Sequence, residues 1–234
     1  MVVDPGPRTD KIDIAERLVV PKLYALGVRS IDLMVLTHPD ADHIGGLPAL
    51  ARRFRIGRIV MPAAFRGNSD LRFWLDLAGL SETNISWIQS HEEFRLENWN
   101  FTLDCPPPAA LLTDNEGSMI VRLSSGPASC MLMGDAGLAS EAYFLAKGVR
   151  WQSQILKVGH HGSKSSTGPD WLAMVKPKDA IISCGRNNIY GHPAAAVMET
   201  IRSKGVNPIR TDLEGTITYE VGANGEFKRR LASE

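Results

Sequence analysis

Thr37-His38-Pro39-Asp40-Ala41-Asp42-His43-Ile44-Gly45-Gly46 places two imidazoles and two carboxylates within six residues, His38 to His43. The apolar run Ile31 to Leu36 precedes it and predicts a buried strand that delivers the loop at its C-terminal end. Residues two apart, such as His38 and Asp40, can face the same side of an extended chain, while Asp42 and His43 form a second pair at the mouth of a helix expected from Ile44 to about Phe54. Folded together, such groups repel or stay unsatisfied unless something positive sits among them. One or two divalent metal ions are the economical reading. A polar loop with a helix-capping Asp42 accounts for one of the four residues only. Gly45 and Gly46 are expected to let the backbone pass close to the metal site.

Three later loops repeat the placement at a strand's end. Asp135 follows the strand expected over Cys130 to Met133, where it is either a helix cap or a metal bridge. Gly159-His160-His161-Gly162-Ser163 follows a strand over Gln154 to Val158. Adjacent residues in an extended chain point to opposite faces, so one of the two histidines is expected to ligate and the other to pack or hydrogen-bond. Ser163, Lys164, Ser165 and Ser166 then offer donors suited to phosphate oxygens or to a solvated loop. His192 ends a fourth loop, 184–193, ahead of a helix over 194–203, as a ligating or hydrogen-bonded imidazole or as a plain loop histidine.

The remaining elements are a strand at Val2 and Val3, a helix over 11–26 interrupted near Pro21, and a short strand at Ile59 to Met61. A helix capped by Asn68 or Ser69, a strand at Ile85 to Ile88 and a hairpin around Glu97-Asn98 come next. A loop runs from Pro106 through Gly117. Helices follow at 138–147 and 169–175, and Ile209 with Ile217 to Val221 closes the chain as a strand pair around Glu214-Gly215. There is no repeat, linker or break in composition, so one domain over 1–234 is expected, of α/β class, with mixed sheets and outer helices.

Twenty-six basic against 26 acidic residues leave no net charge and hence no global pull toward nucleic acid or membrane. No run is long and apolar enough for a membrane span, and no signal peptide opens the chain. The three cysteines are far apart, form no C-x-x-C pair and read as buried, reduced thiols. Arg52, Arg53, Arg55, Arg58, Arg66 and Arg72 interleave with Phe54, Phe65, Phe73 and Trp74, a pattern suited to single-stranded nucleic acid. The better-supported reading is solvated helix faces over buried aromatic stripes. His91, beside Glu92 and Glu93, reads as a surface residue.

Taken together, these residues resemble the metallo-β-lactamase superfamily, and within it the C-terminal hydrolase-like domain of ComEC-type competence proteins. The resemblance is carried by Val3-Asp4-Pro5-Gly6-Pro7, the Thr37–Gly46 loop, Met133-Gly134-Asp135, Leu156-Lys157-Val158-Gly159-His160-His161-Gly162-Ser163 and Asn188-Ile189-Tyr190-Gly191-His192-Pro193, with Arg210-Thr211-Asp212 and Glu214-Gly215-Thr216 at its end. It implies an αββα sandwich of two mixed sheets with outer helices, in which strands that family members carry ahead of the Asp4 turn are expected to be missing here. It implies that His38, Asp40, Asp42, His43, Asp135 and one of His160 or His161 make or support the metal site. His161 is expected as the ligand, Asp42 and both histidines as catalytic, and Ser163, Lys164, Asn188 and His192 as substrate-binding. Asp40 stands where the wider superfamily commonly has a second histidine. This hardens the site and brings Mn²⁺ or Mg²⁺ beside Zn²⁺. The histidine usual ahead of the bridging aspartate is missing from 113–118, where Asn115 or Asp114 could substitute.

The function so implied is metal-dependent hydrolysis through a metal-activated hydroxide, foremost as a phosphodiesterase or nuclease on DNA in DNA uptake. Two alternatives stand beside it. One is a metallohydrolase of a small lactam, lactone or thioester. The other is a non-catalytic DNA-binding module that keeps the metal loop. Full-length competence proteins carry a membrane channel domain. This chain is thus expected to be soluble itself, with a membrane-associated parent.

Overall fold

The computed structural model describes residues 1–107, 113–148, 151–222 and 224–230. The expected loop through Gly117 includes 108–112, which lie outside the described residues. The chain divides into two compact units, Met1–Ser90 and His91–Glu234.

In the first unit, elements run β1 (Val2–Val3), α1 (Val20–Ala25), β2 (Ser30–Val35), α2 (Ala41–Ile44), α3 (Leu47–Arg53), β3 (Arg55–Pro62), α4 (Ser69–Leu77) and β4 (Ile85–Ile88). The strands pair in parallel in the order β1-β2-β3-β4, with helical crossovers between them. Parallel strands covered on both faces are apolar throughout, and Leu33, Met34 and Val35 in β2 are all buried. Met34, Leu36, Ile44, Leu47, Leu50, Met61, Leu71 and Leu75 form the core, each contributing roughly 2 kcal/mol by burial. Strand β3 is much longer than expected. Its first half is polar and partly exposed, so hydrophobicity alone reveals only Ile59 to Met61. Pairing of Ser30 with Arg55 and Ile31 with Ile56 carries the rest.

In the second unit, elements run β5 (His91–Leu96), β6 (Trp99–Asp104), β7 (Ile120–Ser125), β8 (Ala128–Leu132), α5 (Leu138–Ala146), β9 (Ile155–Lys157), α6 (Pro169–Val175), β10 (Asp179–Ile182), α7 (Ala195–Ser203), β11 (Asn207–Arg210), α8 (Thr211–Glu214), β12 (Thr218–Val221) and β13 (Phe227–Arg230). Seven strands form one mixed sheet in the order β11-β10-β9-β8-β7-β6-β5. The antiparallel meander β5 to β8 passes into the parallel set β8 to β11. Phe144, Trp151, Leu156, Trp171, Leu172 and Ile201 lie in its core.

The chain's close differs from expectation. Ile209 lies in β11 and joins the large sheet beside β10, whereas β12 pairs with β13. Phe-Lys-Arg-Arg carries too few apolar residues to announce a strand; the backbone ladder from Thr218↔Arg230 to Val221↔Phe227 and the Glu220–Arg230 ion pair hold it. No helix among the described residues is long and apolar enough to cross a membrane.

Candidate metal-binding residues

In the first unit, the ends of β1 and β2 lie side by side in the parallel ladder, Val3 opposite Val35. Asp4 follows β1 and Thr37-His38 follows β2. The Asp4 carboxylate is the hub of this edge. Its Oδ1 accepts the Thr37 N–H at 2.8 Å, and its Oδ2 accepts the Thr37 hydroxyl and lies 2.7 Å from Nδ1 of His43. Proton positions follow from this. A carboxylate only accepts, so His43 carries its proton on Nδ1. Thr37 gives its single hydrogen to Asp4, so at 3.0 Å its oxygen must accept from Nδ1 of His38. Both imidazoles therefore carry a proton on Nδ1, which leaves Nε2 as the nitrogen that could meet a metal. A carboxylate behind a histidine is a usual support for a metal ligand. Burial alone would raise the Asp4 pKa, but the charge and hydrogen bond of His43, the charge of His38 and the Thr37 N–H together hold it below the ordinary carboxylate value.

His38 and His43 are buried, their rings 4.2 Å apart. Asp40 is the residue before α2, and its Oδ2 lies 3.6 Å from Nε2 of His38. The Asp42 carboxylate, about half exposed, comes within 4.0 Å of Nε2 of His43. These separations are long for a hydrogen bond. They leave carboxylate and imidazole nitrogen facing one another, as donors that a divalent ion could draw together. Asp4, His38 and His43 also offer ligand atoms all within 4.8 Å of one another. Buried imidazole with nearby carboxylate is a donor set that fits a divalent cation. The glycine pair has a different job from the one expected. A Cβ on Gly46 would stand 2.7 Å from the Pro5 carbonyl, and one on Gly45 2.7 Å from the Arg8 nitrogen. What approaches closely is the turn that carries Asp4.

In the second unit, β8, β9 and β10 are parallel neighbours, so the loops after them leave one edge of the sheet. Ligand sites in open α/β sheets gather at such carboxyl ends. Asp135 is buried, and its N–H donates to the Ser118 hydroxyl. The His160-His161 pair is not extended, which removes the premise that its side chains diverge. Both residues are left-handed, with φ of 44° and 53°. The turn brings Nε2 of His161 to 3.5 Å and Nε2 of His160 to 3.9 Å from Oδ2 of Asp135. The tight fit of the loops forces this shape. A Cβ on Gly159 would lie 2.2 Å from the Ala136 carbonyl, and one on Gly162 2.8 Å from Pro193.

The two histidines are held differently. Nδ1 of His161 donates to the Ser183 carbonyl at 2.7 Å, which makes Nε2 the basic nitrogen facing Asp135. His160 is more exposed and meets the Asn115 amide at 3.2 Å and the Ser165 hydroxyl at 3.4 Å. Asn115 thus sits at the edge where the missing histidine was sought. His192 packs its ring 5.9 Å from that of His160. Burial, then the charges of His160 and His161, lower its pKa and favour the neutral ring. Ser163 is buried with its hydroxyl 3.1 Å from that of Ser165, while Lys164 is exposed. The Asn188 amide is engaged within its own loop, donating to Gly185 and His192 carbonyls and accepting the His192 N–H, so it shapes that loop.

Sequence reasoning assigned no role to Asp4, Glu116 or Glu141. Asp4 had a signal, a carboxylate at a strand end before Pro-Gly-Pro. The glutamates had none. Glu116 accepts the N–H groups of Gly137 and Ser140 and the Ser140 hydroxyl, tying 115–118 to the segment after Asp135. Glu141, buried in α5, accepts the N–H groups of Thr167 at 2.6 Å and Gly168 at 2.8 Å, pinning the far end of the histidine loop. Burial overrides those two donors and pushes Glu141 up to about 7, assisted by the charge of Glu116. Burial also drives the Cys105 and Cys130 thiols up to about 12 and Cys184 up to about 11, so all three are protonated at neutral pH.

The arginine-rich stretch is helical only in part: Arg52 and Arg53 lie in α3 and Arg72 in α4, whereas Arg55 and Arg58 lie in β3 and Arg66 in the turn that follows it. Phe54, Phe65 and Trp74 are buried in the first unit's core and Phe73 is exposed. Arg53 pairs with Glu16, Arg72 with Glu82, and Arg66 lies over Trp87. His91 is half exposed and hydrogen-bonds Asp104 at 2.9 Å.

Strand-end histidines and aspartates on α/β sheets, with carboxylates behind or beside the imidazoles, make donor sets that could hold a divalent metal. Residues 1–186 match the metallo-beta-lactamase superfamily, and the chain belongs to it. Members of that superfamily are metal-dependent hydrolases. The chain is 31% identical over 206 residues to ComE operon protein 3 of Bacillus subtilis (strain 168), covering 88% of this chain and 26% of that protein. It is 32% identical over 224 residues to competence protein ComA of Neisseria gonorrhoeae, covering 95% and 30%. It therefore spans less than a third of the length of either relative. The metallo-beta-lactamase fold protein YhfI from Bacillus subtilis shares the fold at a TM-score of 0.53 and 10% identity, over 84% of this chain and 80% of that one.

Proposed function

We propose that this chain is a metal-dependent phosphodiesterase acting on DNA, as part of a competence protein that takes up DNA and carries a membrane channel domain elsewhere. The observation that carries the reading is the carboxylate-rich donor set, with an aspartate oxygen 3.5 to 4.0 Å from the Nε2 nitrogen at His38, His43 and His161. Such a set suits a hard ion, Mn²⁺ or Mg²⁺ as well as Zn²⁺. The competence names of the relatives support a nucleic-acid substrate.

His38, Asp40, Asp42, His43, Asp135 and His161 are the proposed metal ligands. Divalent ions bound by such ligands would lower the pKa of a water molecule and neutralise charge on phosphate oxygens. The chain's own groups do the rest. Asp4 and Thr37 orient the two buried imidazoles, and the Ser183 carbonyl does the same for His161. His160, accessible and set between amide and hydroxyl, is the group that delivers a proton to the leaving oxygen. Lys164 is placed to meet phosphate from its exposed position.

The test is an assay of the purified chain, with bound metal measured, against single- and double-stranded DNA, bis(p-nitrophenyl) phosphate, a chromogenic lactam and a lactone, with Mn²⁺ or Zn²⁺ added. Phosphodiester cleavage that Asp42→Ala abolishes is expected. Turnover of the lactam or lactone alone would replace the proposal with a small-substrate hydrolase. DNA binding that survives chelation, without cleavage, would replace it with a binding module.

A further inference from the structure

Loop 183–194, between β10 and α7, ends in an apolar tip that the fold leaves in water. Ile189 is 91% exposed and Tyr190 76%. Water-facing apolar residues on a slack loop would mean little, but this loop is fastened. Asn188 donates to the Gly185 carbonyl at 3.0 Å and the His192 carbonyl at 2.7 Å, and accepts the His192 N–H at 2.8 Å. The Arg186 Nε donates to the Asp212 carbonyl at the loop's base.

The Tyr190 ring lies nearly parallel to that of His192, 5.8 Å away with 18° between planes. His192 in turn meets His160, whose Nε2 is 3.9 Å from Asp135. One aromatic face is thus turned to an imidazole beside the catalytic groups, and the large exposure of Tyr190 leaves the other face open to solvent. Two exposed cations belong to the same pair of loops: Arg186 on that of Tyr190, and Lys164 on that of His160.

We propose that Tyr190 is a stacking platform for an unpaired nucleobase next to the phosphodiester to be cleaved, so that the substrate is nucleic acid with a single-stranded end or segment. The proposal rests on the phosphodiesterase reading and narrows its substrate class. A flat ring with one free face accepts any base, whereas a base inside a duplex has both faces covered by its neighbours. Cations on the adjoining loops suit the backbone of the same strand.

The experiment is fluorescence anisotropy with a labelled single-stranded oligonucleotide and with an abasic strand of equal length and charge, using the intact chain with metal removed and with metal added. Wild-type protein should bind the base-bearing strand about tenfold more tightly than the abasic one. Tyr190→Ala should lower the first affinity to the level of the second and leave the second unchanged, and Tyr190→Trp should restore the difference. Because Tyr190 lies outside the core, thermal unfolding of the variants should match wild type. Equal affinities of wild type and Tyr190→Ala for the base-bearing strand would overturn the proposal and leave the tip as a surface for another protein. Parallel loss of both strands would overturn it as well. If DNA cleavage persists in either case, the broader reading stands alone. If no phosphodiester is bound or cleaved, both fall.

Discussion

His38 and His43 in the first unit, and His160 and His161 in the second, are two pairs of imidazoles held by different physics. A single partly buried carboxylate stands behind the first pair and orients both rings through charge-assisted hydrogen bonds, one direct and one through a hydroxyl. The second pair rests on a left-handed turn and faces Asp135, and its rings hydrogen-bond a carbonyl, an amide and a hydroxyl. Two further carboxylates, Glu116 and Glu141, act one step further out, on the backbone of the loops. The first pair is a rigid cluster organised by charge. The second is a turn kept in shape by braces, and within it one histidine is fixed and the other accessible.

The sharpest way to break this comparison is inside the second pair. His161→Ala should abolish hydrolysis and strip bound metal. His160→Ala should keep metal and lower kcat by a factor on the order of 10² or more, as expected of a lost proton donor. Metal content and kcat measured on both variants check this; equal metal loss would make both histidines ligands.

A smaller effect is expected one step behind the first pair. Asp4→Asn keeps the size of the side chain but removes the acceptor that fixes two imidazoles. Metal affinity should fall about 10- to 100-fold, the usual cost of losing such a partner, and competition with a chelating dye measures it. An unchanged affinity would show that burial alone orients His38 and His43.

The smallest effect at the site belongs to Glu141, where the readout is the pH dependence of stability. Its folded pKa of about 7 lies above the ordinary value of 4.5, so the folded chain holds a proton that the unfolded chain releases. Its contribution is full below about pH 4.5 and is lost as pH rises through 7, for a total on the order of 3 kcal/mol. Urea unfolding between pH 5 and pH 8 should therefore show wild type losing stability relative to Glu141→Gln. A parallel course of the two would remove the titration from the brace.

The strand-end loops were legible because their chemistry is concentrated: imidazole and carboxylate packed directly after an apolar run are hard to satisfy without a cation. The hairpin around Glu97-Asn98 and the Asn68 cap were legible for local reasons, since turns and caps are set by adjacent residues. Three things were not. The pairing of β12 with β13 depends on backbone ladders and a charged strand whose composition resembles a tail. The turn at His160 and His161 is imposed by the segments of Ala136 and Pro193, which lie far along the chain from Gly159 and Gly162, beyond the reach of any local pattern. Glu116 and Glu141 are glutamates in a loop and a helix, the composition of any solvated surface, and only the N–H groups delivered by other loops give them work. Interleaved arginine and aromatic residues were read as helix faces over buried aromatic stripes, and Arg55 and Arg58 fell instead on the polar first half of β3, which no apolar pattern marks as strand.

Asp4 reaches its histidine from a strand of two residues, which joins the sheet through Val2↔Met34 and Val3↔Val35, with the Asp4 N–H donating to the Val35 carbonyl. Docking of that strand and ordering of the buried imidazoles are therefore one equilibrium. Whatever lifts the strand loosens His43 and His38 together, and any cation that prefers the ordered imidazoles protects the strand by the same free energy. The short strand then serves as a reporter: the resistance of its amides to exchange becomes a measure of occupancy at the histidines that Asp4 holds.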